Sequence, residues 1–308
     1  MLANYECDLH GHTNRSDGVD SPKEFIDHAV ERGLKVAAIT DHDIKPPVWI
    51  EVDGKKVSPV DYARSKGLKL ILGIEISCET YVDDTHLVCF GCDWNAPYFE
   101  ELAQFTADSK INGYKELVEY LNQHNMPLTW QEVLENNGHP VTAENVQKKM
   151  IFELMARKGY MESWSQAKIF VKNNIEIKRK KPDAVSVIQK IHELGGIVIA
   201  AHPYLISEPV EYEGEKISRS QYLDRLIEAG LDGIEARYTY DKTSYGGNLT
   251  KQEIYDNIIK DYAGKGLIIS GGSDYHNDGK KGVKNPRELG ECGLTMEEYQ
   301  SQERLARL

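Results

Sequence analysis

The sequence has no long apolar run and no segment typical of a leader peptide at its start. None of its 308 residues belong to a stretch approaching the roughly 18 apolar residues that a membrane-spanning helix needs. The first residues, MLANYECDLHGH, lack the basic and apolar regions of a signal peptide. We therefore expect a cytoplasmic protein without a membrane partner.

Cysteine is scarce, and the five cysteines do not suit a framework of paired disulfides because their number is odd. Cys89 and Cys92 form a C-x-x-C pair inside the apolar run HLVCFGCDW. A single pair without a second one is weak evidence for zinc. We expect both thiols to be structural.

Positive charge is also in deficit, with 37 Lys and Arg against 49 Asp and Glu and a net charge of −12. Such a chain repels polyanions at long range. No segment resembles an extended cationic track for nucleic acid. We expect no long nucleic acid as a partner, whereas phosphate chemistry on a small substrate at a metal site remains compatible with this charge.

Seven short apolar runs predict the strands of an α/β protein. Each has the nearly continuous apolar character of a strand buried on both faces of a parallel sheet; the runs are 6–10, 36–40, 70–76, 86–91, 197–201, 233–236 and 267–270. Helical patterns lie between them, such as 22–32, with Ser21 as N-cap, Pro22 at the first position and Gly33 at the end. The alternation predicts an α/β barrel or a doubly wound sheet.

Residues 97–182 interrupt this alternation. They contain helical periodicity at 114–123, 147–158 and 165–171 and little strand signal. The sequence therefore predicts a strand-rich domain at 1–96 and 183–308, with a helical insert at 97–182. We expect the insert to form a cap over the mouth of the barrel.

Imidazole and carboxylate side chains recur at the ends of the predicted strands. They occur in the motifs HGH, SDG, TDHD, GIE, AHP and GSDYH and in a histidine that opens the fourth strand, which places His10, His12, Asp17, His42, Glu75, His86, His202, Asp274 and His276. His10 and His12 lie two apart on a strand and so point to one face. In an α/β barrel the strand ends converge on one rim, where sites are assembled. This mixture of nitrogen and oxygen ligands suits Zn, Mn or Fe better than calcium.

The order of these motifs resembles the polymerase and histidinol phosphatase (PHP) superfamily over nearly the whole chain, and the insert resembles the subgroup of small-molecule and nucleotide phosphoesterases. The resemblance implies a distorted seven-stranded (β/α) barrel with a helical insert domain and a site for two or three divalent ions. The first ion would be held by His10, His12, Glu75 and Asp274. Glu75 would bridge to a second ion held with His86 and His202, and a third would use Asp17, His42 and His276.

Such a metal site predicts hydrolysis of a phosphoric ester through attack of a metal-bridging hydroxide on phosphorus. Asp41 and Asp43 flank His42, and we expect them to orient imidazoles from behind the ligands. For Asp43, capping of the turn is an equally good interpretation.

The substrate phosphate also needs cations from the protein. The basic run Lys178-Arg179-Lys180-Lys181-Pro182 stands where subgroup members carry a Gly-Lys-Pro motif, so Lys181 matches the family lysine, while Lys180 replaces its glycine. A solvated charge run is the alternative. Lys148 and Lys149 stand near the position where members place an arginine, and Arg237 follows the sixth strand.

Tyr238, Tyr240 and Tyr245 lie just before the sequence Gly246-Gly247-Asn248. We expect these tyrosines either to line a substrate pocket or to pack on the scaffold of the protein.

The leading hypothesis is a phosphoesterase that acts on a small phosphorylated metabolite or nucleotide, such as a nucleoside 3',5'-bisphosphate or the end of a short oligonucleotide. A cyclic phosphodiesterase acting on a sugar cyclic phosphate and a histidinol-phosphate phosphatase are alternatives. A metal-binding module without turnover and an amidohydrolase that releases an amine are the competing classes.

Overall fold

The computed structural model describes residues 2–175 and 179–308, which divide into two compact units. One unit comprises the chain up to Leu102 together with Pro182–Leu308, and the other is Ala103–Lys181. The first division falls slightly later than residue 97, because Phe99 and Leu102 at the start of a long helix are buried in the core of the first unit.

The first unit contains a seven-stranded mixed sheet. Its strands, in chain order, are β1 (Cys7–Asp8), β2 (Val36–Ile39), β5 (Lys69–Ser77), β6 (His86–Phe90), β7 (Ile197–Ala200), β10 (Gly233–Arg237) and β11 (Ile268–Gly271). They are hydrogen-bonded in that same order. All seven predicted strands are therefore present.

One strand corrects the expectation of a purely parallel sheet. β6 runs antiparallel to both β5 and β7. The physical reason is the short connection between β5 and β6, since a parallel pair needs a crossover of about a dozen residues or more. In the β5–β6 register Ser77 lies opposite His86. The start of β6 therefore lies at the edge of the sheet where its parallel neighbours end.

The two ends of the sheet approach each other and nearly close a barrel. The Leu9 amide donates to the Gly271 carbonyl at 3.2 Å, and the Asp274 amide donates to the His10 carbonyl at 2.9 Å. A Cβ added to Gly272 would stand 2.3 Å from the His10 Cβ, so only glycine permits this approach. The predicted α/β barrel is confirmed.

Eleven α-helices occur in the described residues: α1 (Pro22–Glu31), α2 (Pro59–Ser65), α3 (Tyr98–Gln123), α4 (Trp130–Glu135), α5 (Lys148–Arg157), α6 (Trp164–Asn174), α7 (Ala184–Glu193), α8 (Arg219–Glu228), α9 (Lys251–Tyr262), α10 (Met296–Ser301) and α11 (Glu303–Ala306). At α1 the predicted N-cap is confirmed, because the side chains of Ser21 and Glu24 form a reciprocal capping box. Gly33 beyond its end has φ +82°.

Two β-hairpins were not predicted from sequence. One is β3 (Ile50–Val52) with β4 (Lys55–Val57), and the other is β8 (Val210–Tyr212) with β9 (Glu215–Ile217). Each turns through an acidic residue followed by glycine, and the central residues of both turns have positive φ. This conformation is typical of two-residue hairpin turns. The Asp53-Gly54 pair was thus a readable signal.

The second unit is helical, and its described residues contain no strand. Its helices are most of α3 together with α4, α5 and α6, and they enclose a separate apolar core that includes Leu117, Leu121, Ile151 and Met155. The placement of this unit as a cap stays a prediction.

All five cysteines are buried and free, as expected for structural thiols. Burial raises the pKa of the Cys92 thiol to about 12, so it stays protonated and inert at neutral pH.

Within residues 2–175 and 179–308, no helix combines the length and apolar character needed to cross a membrane.

Candidate metal centre

Glu75, near the end of β5, lies at the centre of a cluster of imidazoles. Its Oε2 atom is 3.1 Å from His10 Nε2, 3.1 Å from His12 Nε2 and 3.2 Å from His42 Nδ1. Glu75, His10 and His12 are almost fully buried. Residues from the ends of β1, β2 and β5 thus converge on one carboxylate oxygen.

The other oxygen of Glu75 faces two further imidazoles. Oε1 is 2.9 Å from His86 Nδ1 and 3.0 Å from His202 Nε2. His86 reaches this point because β6 is antiparallel and begins at the rim of the barrel. A carboxylate whose two oxygens face separate groups of nitrogen atoms has the arrangement needed to bridge two cations.

Asp274 follows β11 and supplies a second buried carboxylate. Its Oδ1 is 3.0 Å from His12 Nε2 and 3.4 Å from His276 Nδ1. Its Oδ2 accepts a hydrogen bond from the Tyr238 hydroxyl at 2.7 Å and pairs with the Arg287 guanidinium. One oxygen is therefore held by the protein, while the other faces the imidazoles.

Asp17 is the exposed member of the cluster. Its Oδ1 is 3.0 Å from His276 Nε2 and 3.9 Å from His12 Nδ1. The Gly18 backbone packs against the carbonyl of His12, where a Cβ would stand 2.6 Å from the oxygen. This tight turn brings the carboxylate back to the histidine that precedes it.

All nine ligands implied by the family resemblance thus lie in one region. Donor atoms within 4.8 Å of one another form three groups: His12, Asp17, His42 and His276; His10, His12, Glu75 and Asp274; and His42, Glu75 and His86. His42 belongs to two of these groups, and His202 joins the cluster through its contact with Glu75. Ligation by these residues stays a prediction.

The hydrogen-bonding state of the cluster fits bound cations. Seven buried donor or acceptor atoms have no hydrogen-bond partner within the described chain: His10 Nε2, His12 Nδ1, His12 Nε2, His42 Nδ1, Glu75 Oε2, His202 Nδ1 and Asp274 Oδ1. Buried polar atoms are ordinarily satisfied, and such a concentration needs an explanation. Divalent ions of the Mn, Fe or Zn type accept this set of imidazole and carboxylate donors.

The buried carboxylates and imidazoles of the cluster shift one another's pKa values. Burial alone would raise the pKa of Glu75, but the surrounding imidazoles hold it well below its usual value. Burial lowers the pKa of His42 to about 3, while the nearby carboxylates of Asp274 and Glu75 overcome the burial of His12 and raise its pKa to about 9. Metal binding requires neutral imidazoles, so loading such a site releases protons.

Three residues of the site have left-handed backbone conformations. Asp43, His202 and Asp274 have φ values of 53°, 27° and 52°. Such conformations are uncommon outside glycine and concentrate at functional sites.

Glu235 on β10 was missed by the sequence analysis. Its carboxylate lies 3.1 Å from His10 Nδ1 and accepts the His202 amide at 2.7 Å, so it orients two of the expected ligands from behind. The signal was readable, because Gly233-Ile234-Glu235 repeats the pattern of Gly73-Ile74-Glu75 at the end of another barrel strand.

Asp41 and Asp43 do not have the partners that the sequence suggested. The Asp41 carboxylate accepts from the Thr13 amide, the Thr13 hydroxyl and the Ser16 hydroxyl at 2.7–2.8 Å. Asp43 Oδ1 accepts the Ser77 amide at 2.8 Å. For the described residues no hydrogen bond joins either aspartate to an imidazole; the aspartates instead fix the loop after β1 and the end of β5.

The cluster opens into a cavity of about 290 Å³. Besides seven of the nine expected ligands, its wall includes Tyr238, Lys242, Thr243, Ser244 and Arg287. Arg287 and Lys242 were not predicted as site residues. Their loops carry no motif, and only the fold brings residues 242 and 287 to the same rim.

Arg237, the cation predicted from its position after the sixth strand, lies on a different cavity from the cluster. Its guanidinium makes a bidentate pair with Glu298 at 2.8 and 2.7 Å. Tyr5 and Tyr255 lie against it at 5.2 and 4.2 Å from the ring centres. Because both ends of this guanidinium already pair with Glu298, a role for Arg237 in phosphate binding is not favoured.

The other predicted anchors belong to the helical unit. Lys148 lines a cavity of about 220 Å³ there together with Tyr114 and Arg179, and its pKa is lowered by burial and by Arg179. Lys149 lies 3.5 Å from Glu153. Lys181 is the last residue of this unit, and Lys178 lies outside the described residues. Their role in phosphate binding stays a prediction.

The tyrosines of the loop after β10 have structural partners. Tyr238 and Tyr240 are buried, and their rings meet edge to face at 4.9 Å between centroids. Tyr245 packs on Tyr240 at 5.5 Å. Packing on the scaffold is therefore confirmed for these rings, while the Tyr238 hydroxyl also reaches the site through Asp274.

A family model of the PHP domain matches residues 8–194, which is more than half of the chain. The chain belongs to the PHP family. The match begins at the strand that carries the HGH motif and extends through the helical unit to α7.

Relatives of this PHP protein include several hydrolases. A 5'-3' exoribonuclease of Haemophilus influenzae is 27% identical over 202 residues, 64% of this chain and 68% of the relative. A phosphoribosyl 1,2-cyclic phosphate 1,2-diphosphodiesterase of Eggerthella lenta is 24% identical over 87% of this chain and 93% of the relative. A 3',5'-nucleoside bisphosphate phosphatase of Chromobacterium violaceum is 33% identical over 86 residues, 28% of this chain and 27% of the relative.

Among solved structures, an inferred metal-dependent phosphoesterase of Bifidobacterium adolescentis superposes with a TM-score of 0.63 and 26% identity, covering 100% of this chain and 98% of that one. The relatives named here all hydrolyse phosphoric esters. With the PHP family and the His, Asp and Glu cluster, they show that this protein is a metal-dependent phosphoesterase.

Proposed function

We propose that this PHP protein hydrolyses the phosphate ester of a small nucleotide, either a nucleoside 3',5'-bisphosphate or the end of a short oligonucleotide. The observation that carries the proposal is one cluster of the nine expected ligands, which holds seven unsatisfied buried atoms and of which seven residues line one cavity. A cavity of about 290 Å³ accommodates a phosphate and a sugar better than a long polymer.

The proposed ligands would hold two or three divalent ions. When bound, such ions supply Lewis-acid charge for the phosphoryl oxygens and activate water at neutral pH. Glu75, with its two oxygens directed at separate groups of imidazoles, would contribute to holding more than one of these ions. Glu235 and Tyr238 hold His10 and Asp274 in place from outside the cluster.

Arg287 would bind a non-bridging oxygen of the substrate phosphate. Its side chain lines the cavity, and it is only 15% exposed. Its Nη1 pairs with Asp274 and its Nη2 lies 3.4 Å from Asp278 Oδ2, whereas its Nε has no hydrogen-bond partner in the described chain. A planar guanidinium carries five donors, so those beyond these contacts suit phosphate oxygens. Lys242 supports this wall, because its Nζ donates to the Pro286 carbonyl at 2.9 Å and pairs with Glu291.

The names of the relatives support the nucleotide class, since an exoribonuclease and a bisphosphate phosphatase both act on nucleotides. A cyclic phosphodiester of a sugar is the second candidate. The observation that favours it is the length of the match with the cyclic phosphate diphosphodiesterase, which covers nearly the whole of both chains.

The test is phosphate release and product analysis with the manganese-loaded protein. The panel contains nucleoside bisphosphates, 5'-phosphorylated oligoribonucleotides, sugar cyclic phosphates and histidinol phosphate. We expect turnover of a nucleotide substrate that falls by at least about 100-fold in Glu75→Gln, because loss of a bridging ligand removes transition-state charge stabilisation.

The matched control is Glu193→Gln, the same chemical change on the exposed face of α7. We expect it to retain full turnover. Selective turnover of the sugar cyclic phosphate would establish the second candidate. No turnover of any phosphoester by protein with measured bound metal would overturn the proposed function.

A further inference from the structure

An apolar trough lies next to the metal-site loops, on the same unit of the protein. It is a cavity of about 540 Å³, and we name it the Trp49 trough after its most exposed ring. Its floor is formed by Pro46, Pro47, Val48 and Trp49. Val48 is 73% exposed and Trp49 is 49% exposed, and these side chains neither complete the core nor touch the cluster.

The trough is continuous with two loops that carry expected metal ligands. Arg15 stands between His12 and Asp17, and its guanidinium donates to the Lys45 carbonyl at 2.7 Å. Lys45 follows His42 by three residues. This hydrogen bond joins the loop after β1 to the segment that leads into β3, so two loops that carry expected ligands also contribute residues to the trough.

The charge of the trough is opposite to that of the whole molecule. The protein carries a net charge of −12, yet the charged side chains lining the trough are Arg15, Lys23 and Lys45 against one carboxylate, Glu51. Lys45 pairs with Glu100 and Lys23 with Asp27 at the surface. Such exposed pairs are weak and exchange readily for another anion.

Trp49 lines the trough, and although a lysine covers one face of its ring, about half of its side chain is exposed. Lys56 Nζ lies 3.9 Å from the centre of the indole ring, on β4 of the same hairpin. This contact holds the ring and brings a further cation beside it. An exposed aromatic platform with neighbouring cations is the arrangement by which proteins bind single-stranded nucleic acid, through base stacking and phosphate contacts.

We propose that the Trp49 trough binds the nucleotides of a single-stranded oligoribonucleotide that follow the end held at the metal cluster. The proposal rests on the nucleotide specificity put forward above and extends it from a single nucleotide to a short strand. A base would stack on Trp49, and the following phosphates would pass Lys45, Lys23 and Lys56.

The test compares a 5'-phosphorylated hexaribonucleotide with adenosine 3',5'-bisphosphate as substrates of Trp49→Ala. We expect KM for the hexanucleotide to rise about tenfold, as for loss of one stacked base, and KM for the bisphosphate to change less than twofold. Trp49→Phe keeps an aromatic face and should restore most of the difference. A loss shared equally by both substrates, or by neither, would overturn the trough as a strand site.

A matched pair of lysines tests the electrostatic part. Lys56 on β4 and Lys216 on β9 occupy equivalent positions in the two hairpins, opposite Glu51 and Glu211. Lys56→Ala should weaken hexanucleotide binding and reduce its salt dependence, whereas Lys216→Ala should not. Equal effects of the two changes would show general charge attraction and contradict the proposal.

Binding is also measured by fluorescence anisotropy of a labelled hexanucleotide in the presence of a chelator, so that the outcome does not depend on turnover. Failure of the wild-type protein to hydrolyse nucleotides, with binding still dependent on Trp49, would overturn the proposed substrate and retain the trough. Hydrolysis of nucleotides with binding independent of Trp49 would retain the proposed substrate and overturn the trough as a strand site.

Discussion

At the scale of single residues, the buried carboxylates of the site differ in what their two oxygens contact. Both oxygens of Glu75 face imidazoles, whereas Asp274 directs Oδ1 at the histidines and gives Oδ2 to Tyr238 and Arg287. Asp8 shows the purely structural case, since it accepts hydrogen bonds from Ser273 and the Gly290 amide. Burial nevertheless raises its pKa to about 6.

The two arginines near this rim provide a matched test of phosphate binding. Arg287→Lys should raise KM for the substrate by about tenfold or more, because lysine cannot provide the planar fork and a hydrogen bond to a charged group contributes about 1.5–3 kcal/mol. Arg237→Lys should leave KM unchanged, since Arg237 already pairs with Glu298. Steady-state kinetics with metal content measured in parallel checks both variants. A rise of KM in Arg237→Lys but not in Arg287→Lys would instead favour Arg237 as the residue that binds the phosphate, as the sequence analysis suggested.

At the scale of elements, the short connection before β6 decides the geometry of the centre. It forces β6 to run antiparallel, and this reversal brings the first residue of the strand, His86, to the rim that carries the cluster. A parallel β6 would place His86 at the opposite end of the barrel. The element α1 is similarly tied to the loop after β11, where His28 in its last turn meets Glu288 at 2.8 Å.

This contact between α1 and the loop predicts a pH-dependent stability. The hydrogen bond to Glu288 raises the pKa of His28 above its usual value of 6.5 despite partial burial, with Glu31 3.7 Å away adding to the effect. The stabilisation is therefore complete below about pH 6.5 and is lost as pH rises through the folded pKa. His28→Gln should lower the free energy of unfolding by about 0.5–1 kcal/mol at pH 6 and by less at pH 9, given the partial exposure of both groups.

Urea unfolding at the two pH values measures this difference. The control is Lys23→Gln, which removes the ion pair with Asp27 in the same helix. Lysine stays charged at both pH values, since Asp27 raises the pKa of Lys23. Its effect should therefore be the same at pH 6 and pH 9. A pH-independent effect of His28→Gln would show that the imidazole contributes only through packing.

At the scale of the whole molecule, stability is coupled to metal through the barrel. Strands from both ends of the chain meet at the cluster, because β1 and β11 close the sheet beside His10 and Asp274. Ions that bind only the folded barrel stabilise it by mass action. The helical unit has its own core and contributes none of the nine expected ligands.

Metal removal should therefore lower the thermal midpoint of the barrel transition. An ion at 100 times its Kd contributes about 2.7 kcal/mol, which corresponds to about 5 °C or more for a domain of this size. Calorimetry with a chelator and with added Mn²⁺ measures the shift, and Glu75→Gln should abolish it. An equal midpoint with and without Mn²⁺ in the wild-type protein would contradict a metal centre in the barrel.

The sequence by itself determined the strands and the motifs of the rim, for local reasons. Continuous apolar runs specify buried strands, Ser21 and Gly33 specify the ends of a helix, and the pattern of HGH, TDHD and GSDYH specifies the family. These signals are local because each depends on neighbouring residues. All nine expected ligands, which lie in one region of the structure, were named from these signals.

Only the tertiary structure decided which polar groups meet across the barrel. Arg287 and Lys242 reach the site from loops far apart in sequence, and Arg237 pairs with Glu298 although its neighbour Tyr238 lines the cavity of the cluster. The direction of β6 and the partners of Asp41 likewise follow from sheet pairing. Long-range contacts of this kind depend on how the strands close into a barrel, which no local pattern of residues records.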